Sequence, residues 1–206
     1  MQFRSSLIRL SLLATLAAAV NIRNYNHAGC QGRYEQCSDI NENVCCDRIA
    51  VGRNASRNSY SSSTFSNLPA TALGLVCQSQ SRYDHCSQVV DASWGDNACA
   101  GRGNDLAGSF WFTCHGCPWP TPTPGGNTTV VEDAVWAVLR VAHEQHVAGL
   151  VQADLVSIEG HLFPVNYGVP GDVTGEVYRV FDNDSLGLDD LPAHVRSYEL
   201  VQKQSR

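Results

Sequence analysis

Apolar residues along this chain come in short runs broken by turn residues, and the period of the runs changes once. Asn21-Ile-Arg-Asn-Tyr25 predicts a short strand leading into Cys30, with Gly29 and Gly32 marking a turn around that cysteine. Thr71–Cys77, carrying Leu73, Leu75 and Val76, predicts a buried strand. Cys86–Val90 and Gly108–Cys114 predict two more. In the second of these Phe110 and Phe112 share one face and Trp111 takes the other. Gly95-Asp-Asn97, Gly101-Arg-Gly103 and Asn104-Asp105 supply turns, and the polar stretches Asp39–Asn43 and Arg53–Ser63 predict exposed loops. Many short strands with glycine-rich turns describe a compact antiparallel β unit.

Cys117-Pro-Trp-Pro-Thr-Pro-Thr-Pro-Gly-Gly126 ends that pattern, because its four prolines and two glycines hold neither a helix nor a central strand. Beyond it the period becomes helical. Thr129-Val-Val-Glu132 is a capping box, and Ala134, Val135, Val138, Leu139, Val141, Ala142 and Val147 follow at mostly helical spacing up to Gly149. Asp154–Val165 predicts a hairpin that pairs Leu155–Ile158 with Leu162 and Phe163, turning at Glu159-Gly160 or Gly160-His161. Gly175–Phe181 alternates and predicts a further strand, with Val177, Arg179 and Phe181 opposite Tyr178 and Val180.

The expected fold class is α+β: a disulfide-stapled, antiparallel β-rich N-terminal half, and a C-terminal half with one helix and a small β-meander. The expected organisation is a signal peptide over 1–20, a cysteine-rich β domain over 21–117, a Pro/Gly-rich linker over 118–128, and a cysteine-free α+β lobe over 129–206. That lobe either stands alone or packs as one domain with 21–117.

The cysteines change this picture most. All nine, Cys30, Cys37, Cys45, Cys46, Cys77, Cys86, Cys99, Cys114 and Cys117, precede the proline-rich stretch, and four of them fall between Cys30 and Cys46. They read as a disulfide framework. Neighbours bridge only with strained geometry, so Cys45 and Cys46 are expected to bond two different segments. An odd count leaves one thiol over, either spare or available for a covalent dimer.

The N-terminus agrees with an oxidising compartment. Arg4 and Arg9 precede the apolar run Leu10–Val20, and Ala17-Ala-Ala19 offers a small-residue cleavage site. A bilayer span needs roughly 20 apolar residues, so the run reads as a secretory leader and the mature start falls near Val20 or Asn21. The expected localisation is secreted and extracellular, with no membrane span. Three sequons fit that route: Asn54-Ala-Ser56, Asn127-Thr-Thr129 and Asn183-Asp-Ser185. Without Arg4 and Arg9 the chain holds twelve basic residues against twenty acidic, a net charge of −8, which argues against nucleic acid as a partner.

Candidate chemistry is thin. Cys114-His-Gly-Cys117 has redox or zinc spacing but lacks a second cysteine pair and a βαβ context, so both cysteines read as structural. His143 and His146 share a helix face, one residue short of the zinc-protease spacing, and His161 has nothing to fix it nearby. Asp182–Asp190 begins like a calcium loop, but Leu186 stands where the fifth ligand belongs, and Ala193 where the closing Glu belongs. It reads as an acidic exposed loop. No catalytic residue, metal site or cofactor is assigned. Trp119, inside the proline-rich segment, is the expected glycan contact among the four tryptophans.

The cysteine pair after two spaced cysteines, the Ser62–Pro69 run with Phe65 and Leu68-Pro69, and Asp154-Leu-Val-Ser-Ile-Glu-Gly160 together resemble small secreted cysteine-rich, effector-like proteins of filamentous fungi. The resemblance implies host interaction or a cell-wall role and brings no catalytic residue set. Three functions follow as expectations. The first is a non-enzymatic effector or virulence-associated factor acting outside the producing cell on a host protein. The second is a module that binds wall polysaccharide or another glycan. The third, weaker, is a secreted hydrolase, which requires two carboxylates converging in a cleft.

Overall fold

The structure is a computed structural model, and it describes residues 19–47, 60–79, 86–101, 103, 105–115, 117 and 147–200. Eleven strands are present among them: β1 (Val20–Tyr25), β2 (Tyr34–Ile40), β3 (Val44–Asp47), β4 (Ser62–Ser66), β5 (Ala72–Gln78), β6 (Gln88–Trp94), β7 (Cys99–Ala100), β8 (Leu106–Thr113), β9 (Gly149–Gln152), β10 (Leu155–Ile158) and β11 (His161–Pro164). Helix α1 spans Gly171–Phe181. A 3-10 turn over Leu188–Asp190 and the single-turn helix α2 (Ala193–Arg196) follow it. The helix expected over Thr129–Gly149 lies outside the described residues, except that Gly149 opens β9.

Two sheets form. One has six strands in the order β11-β10-β2-β1-β4-β7, and the other has five in the order β6-β5-β8-β3-β9. Every pairing is antiparallel except β3 with β9, where Cys45 lies beside Leu150 and Cys46 beside Val151. Strands from the C-terminal half thus extend sheets begun in the N-terminal half: β10 pairs β2, with Val156 opposite Glu35, and β9 pairs β3.

Alternation assigns each side chain to a layer. On β5, Ala72 and Val76 face one core while Leu73, Leu75 and Cys77 face another. On β8, Trp111 points into the first core, and Phe110 and Phe112 into the second, as the sequence pattern requires. The first core lies between the sheets, joining Val20 and Ile22 of β1 and Phe65 of β4 to Val76 and Trp111. The Trp111 indole also donates to the Ile40 carbonyl at 2.9 Å. Polar groups cross the same gap. Asn24 Oδ1 accepts hydroxyl protons from Ser63 of its own sheet (2.8 Å) and Ser109 of the other (2.7 Å). Beside them, burial pushes the Tyr60 phenol well above its ordinary range. The Cys77 thiol adds to the rise, and the Ser109 and Ser63 hydroxyls oppose it.

The third core occupies the rest of the same face of the six-stranded sheet. Ile22, Asn24, Cys37, Glu35 and Val156 are cross-strand partners in sequence across β1, β2 and β10, so they point the same way. At the β10–β11 end that face is covered by α1, whose Val173, Val177, Val180 and Phe181 pack on Val156, Ile158 and Phe163.

Two expectations are corrected here. Gly175–Phe181 is the end of a helix and not a strand. Val173, Val177, Tyr178, Val180 and Phe181 are all buried while Arg179 is exposed, which is a helical stripe; the alternation seen over seven residues is a short sample of it. Likewise Ser61, Ser62 and Ser63 are buried rather than part of an exposed loop. Their hydroxyls go to the Asn26 carbonyl, the His27 carbonyl and Asn24 Oδ1, so the polar composition reflects satisfied hydroxyls at the start of β4 and not exposure.

The four disulfides are Cys30–Cys99, Cys37–Cys46, Cys45–Cys86 and Cys114–Cys117. Cys45 and Cys46 bond different segments because they are adjacent on β3 and therefore face opposite cores. Cys77 lies outside the bridges and is fully buried. The folded chain thus closes the route to a covalent dimer through that thiol.

The β10–β11 hairpin turns on two residues, Glu159 (φ 53°) and Gly160 (φ 87°). Both central residues of such a turn need left-handed backbone, which suits Asn-Gly and costs a residue like Glu about 1 kcal/mol. Among the described residues Glu159 gains only a long ion pair with Arg33, at 3.9 Å and half exposed. Pairs of that kind are worth under about 1 kcal/mol. Replacing Glu159 by Asn is therefore expected to raise stability by about 0.5–1 kcal/mol, read as a higher denaturant midpoint with an unchanged slope. A lower midpoint would show that the carboxylate matters more than the backbone.

Candidate functional site

A concavity lies between β9, the edge of the five-stranded sheet, and α1. It holds about 1030 Å³. One wall is Val151, Gln152 and Ala153. The other is the α1 face formed by Gly171, Thr174, Gly175, Tyr178 and Asp182, which recur at three- and four-residue spacing.

The loop from Val165 to Pro170 closes one end, and its shape follows from its sequence. Val169 N–H bonds to the Asn166 carbonyl at 3.2 Å, and Gly168 has φ 111°. That is a β-turn whose third residue needs positive φ, a role glycine fills without strain. Tyr167, second in the turn, is thrown outward and is fully exposed. Pro170 then starts the helix: its carbonyl accepts from Thr174 N–H at 3.0 Å, and Asp172 sits in the first turn.

The groove thus offers an aromatic ring at its rim, apolar floor from Val151, Val165 and Val169, and planar polar groups from Asn166, Gln152 and Arg179. Arg179 is held in place by Glu176 at 2.8 Å and by the Asp190 carbonyl at 3.0 Å. Among the described residues of the lining, Asp182 supplies the single carboxylate. An added Cβ at Gly175 would meet nothing within 4 Å, so the helix wall is open there.

A second, smaller cavity of about 460 Å³ is lined by His27, Gly32, Arg33, Glu159, Gly160 and Asp184. Two carboxylates do share this one. Each faces a basic side chain, Asp184 with His27 at 3.7 Å and Glu159 with Arg33 at 3.9 Å. The dominant contacts of Arg33 are elsewhere. Its guanidinium is nine-tenths buried and donates to the carbonyls of Val180 (2.5 Å), Phe181 (3.5 Å), Asn183 (3.0 Å) and Leu186, capping the end of α1 and the loop after it. Asn26 adds a bond to the Phe181 carbonyl at 3.2 Å. The small cavity is the outer surface of this clamp.

The residues singled out from sequence fall as follows. Trp119, Asn54, Asn127, His143 and His146 lie outside the described residues. Asn183 is exposed on the loop after α1. Cys114 and Cys117 bond each other, with His115 exposed between them. His161 Nδ1 lies 2.7 Å from Glu199, and among the described residues no set of three His, Cys, Asp or Glu side chains gathers as a metal site. The acidic stretch from Asp182 is surface loop and 3-10 turn. Tyr167 was not singled out. Its signal was the aromatic residue inside Asn166-Tyr-Gly-Val-Pro170, flanked by turn formers on both sides.

Two sheets, four disulfides all before residue 118 and an open groove define a small cysteine-rich β protein, built as extracellular domains are. No helix among the described residues is long and apolar enough to cross a membrane. Within that class the family is shown by a model: ARB_05566_N, an N-terminal domain, matches residues 21–133, more than half of the chain, and the chain belongs to that family. No curated protein and no solved structure matches the chain.

Proposed function

We propose that this is an exported, non-enzymatic protein that acts outside the producing cell by binding a polysaccharide in the groove between β9 and α1. Residues 1–20 act as the leader, and the mature chain works as one unit. The observation that carries the reading is Tyr167. A fully exposed tyrosine gains nothing from the fold, and here it stands at the rim of a groove whose other polar groups include the planar amides of Gln152 and Asn166 and the Arg179 guanidinium. Aromatic faces offer a platform for the apolar side of a sugar ring, and planar polar groups bond its hydroxyls. Among the described residues the lining holds one carboxylate, Asp182, which suits binding better than two-carboxylate hydrolysis. The effector role fits the same surface, since sequestering or masking a wall polymer needs no catalysis.

The test is retention of the secreted, non-reduced protein on insoluble chitin, β-glucan and cellulose. Tyr167→Ala is expected to weaken retention on the bound polymer by at least about tenfold while leaving the melting temperature unchanged. Gly175→Leu is expected to do the same by filling the groove from the helix side. Retention that survives both substitutions would place the contact elsewhere, and Trp119→Ala would then be the variant to read. No retention on any of the three polymers would overturn the glycan reading and favour a protein target in a host.

A further inference from the structure

The sequon Asn183-Asp-Ser185 plays no part in the groove, yet its geometry is specific. Asn183 Oδ1 accepts two hydrogen bonds from the residue two positions on, from Ser185 N–H at 3.1 Å and from the Ser185 hydroxyl at 2.7 Å. This is an Asx turn closed twice over. The Asn183 backbone is fully engaged as well. Its N–H bonds to the Val180 carbonyl at 3.2 Å, and its own carbonyl accepts from Leu186 N–H at 2.9 Å and from Arg33 at 3.0 Å. The side-chain amide nitrogen is the one polar atom of the residue that takes no hydrogen bond among the described residues, and the residue is exposed.

We propose that Asn183 is an N-glycosylation site of this chain, prepared by the Ser185 hydroxyl and left outward by the fold. An amide nitrogen is a poor nucleophile, because its lone pair is delocalised into the carbonyl. Fixing the carbonyl oxygen with two donors sets the amide in one orientation and leaves the nitrogen as the group presented. The transfer is to a lipid-linked oligosaccharide diphosphate as co-substrate. A bond forms between Asn183 Nδ2 and the anomeric carbon of the first sugar. The bond from that carbon to the phosphate oxygen breaks, the lipid diphosphate leaves with the electron pair, and one Nδ2 proton is lost. The turn spans three residues, so it forms in the nascent chain before Arg33 docks. In the folded chain the product sugar points to solvent, because every buried contact of this residue is made by its backbone. This inference is independent of the polysaccharide reading, since occupancy is scored on the purified protein without any ligand.

The experiment is peptide mapping of the full chain secreted from a fungal host, after an amidase that releases the glycan and leaves Asp in place of Asn. Asp at position 183 in most of the wild-type protein is the expected result. Ser185→Thr keeps the hydroxyl and is expected to keep occupancy. Ser185→Ala keeps exposure but loses the hydroxyl, and is expected to lose it. Unmodified Asn183 in secreted wild-type protein would overturn the proposal. Full occupancy in Ser185→Ala would overturn the role given to the hydroxyl.

Discussion

Replacing Arg33 by Ala is expected to destabilise the protein by about 3–5 kcal/mol. The guanidinium donates to four carbonyls, those of Val180, Phe181, Asn183 and Leu186, and its side chain is one-tenth exposed. Hydrogen bonds from a charged donor are worth about 1.5–3 kcal/mol each, and three of the four carbonyls keep a second donor: Val180 from Asn183 N–H, Phe181 from Asn26, and Asn183 from Leu186 N–H. Water entering the emptied site recovers part of the loss, which keeps the expected figure below the sum. Position adds to the effect, because a cation at the end of α1 faces the negative end of the helix dipole. Arg33→Lys should restore less than half. A lysine has one compact ammonium where the carbonyls were placed around a planar fork. Denaturant midpoints measure the total. Amide exchange adds the location, with protection falling first in α1 and in the loop through Leu191. A loss under about 1 kcal/mol in Arg33→Ala would show that the clamp is not what holds α1 to the β1–β2 turn.

Replacing Gly74 by Ala is expected to cost about 3 kcal/mol or more. Gly74 lies in the middle of β5, on the face turned toward the other sheet, and the ring of Phe65 rests directly on its Cα. A Cβ there would overlap three ring carbons of a side chain that is fully buried. Overpacking of a close-packed core usually costs about 1–3 kcal/mol, and this position has little room to yield, because β5 is bonded to β6 on one side and to β8 on the other. The coupling is testable. Phe65→Leu alone leaves a void, but in the double variant the void accepts the methyl group, so the two losses should fall short of their sum. Simple addition of the two would sink the idea that the glycine exists to seat the ring.

Both features show what local pattern reveals and what it hides. The strands at Asn21–Tyr25, Thr71–Cys77 and Gly108–Cys114 were legible, because a period of two with turn residues on both sides is written within each stretch. So was the opposed bonding of Cys45 and Cys46, which follows from the same alternation. Helix α1 was misread because Val177, Arg179 and Phe181 mimic alternation when Val173 is left out of the window. The Ser61–Ser63 stretch was misread because hydroxyls count as surface until their partners are known. Arg33 and Gly74 could not be read at all. The carbonyls that Arg33 clamps begin 147 residues further on, and the need for Gly74 arises only when a second sheet brings Phe65 against it. The groove differs in kind: its lining runs only from Val151 to Asp182, but the stretch reads as strand, loop and helix, and Tyr167 carried no weight until β9 and α1 were placed beside each other.

The lateral pairing of β9 and β10 also sets an order of assembly. When the first 117 residues have been synthesised, β2 and β3 each still lack one neighbour, and those neighbours, β10 and β9, are made late, ahead of β11 and the helical segment. Ser38 waits 116 residues for the Asp154 carboxylate that bonds its N–H. Contacts of such separation are slow to form, and open strand edges attract wrong partners meanwhile. The disulfides do not have this delay, since all their cysteines precede residue 118. Oxidation can therefore close the cross-links while two sheet edges remain open. Truncation before Gly149 should then yield a chain that is correctly cross-linked yet sticky, and its yield will depend on chaperones rather than on redox balance.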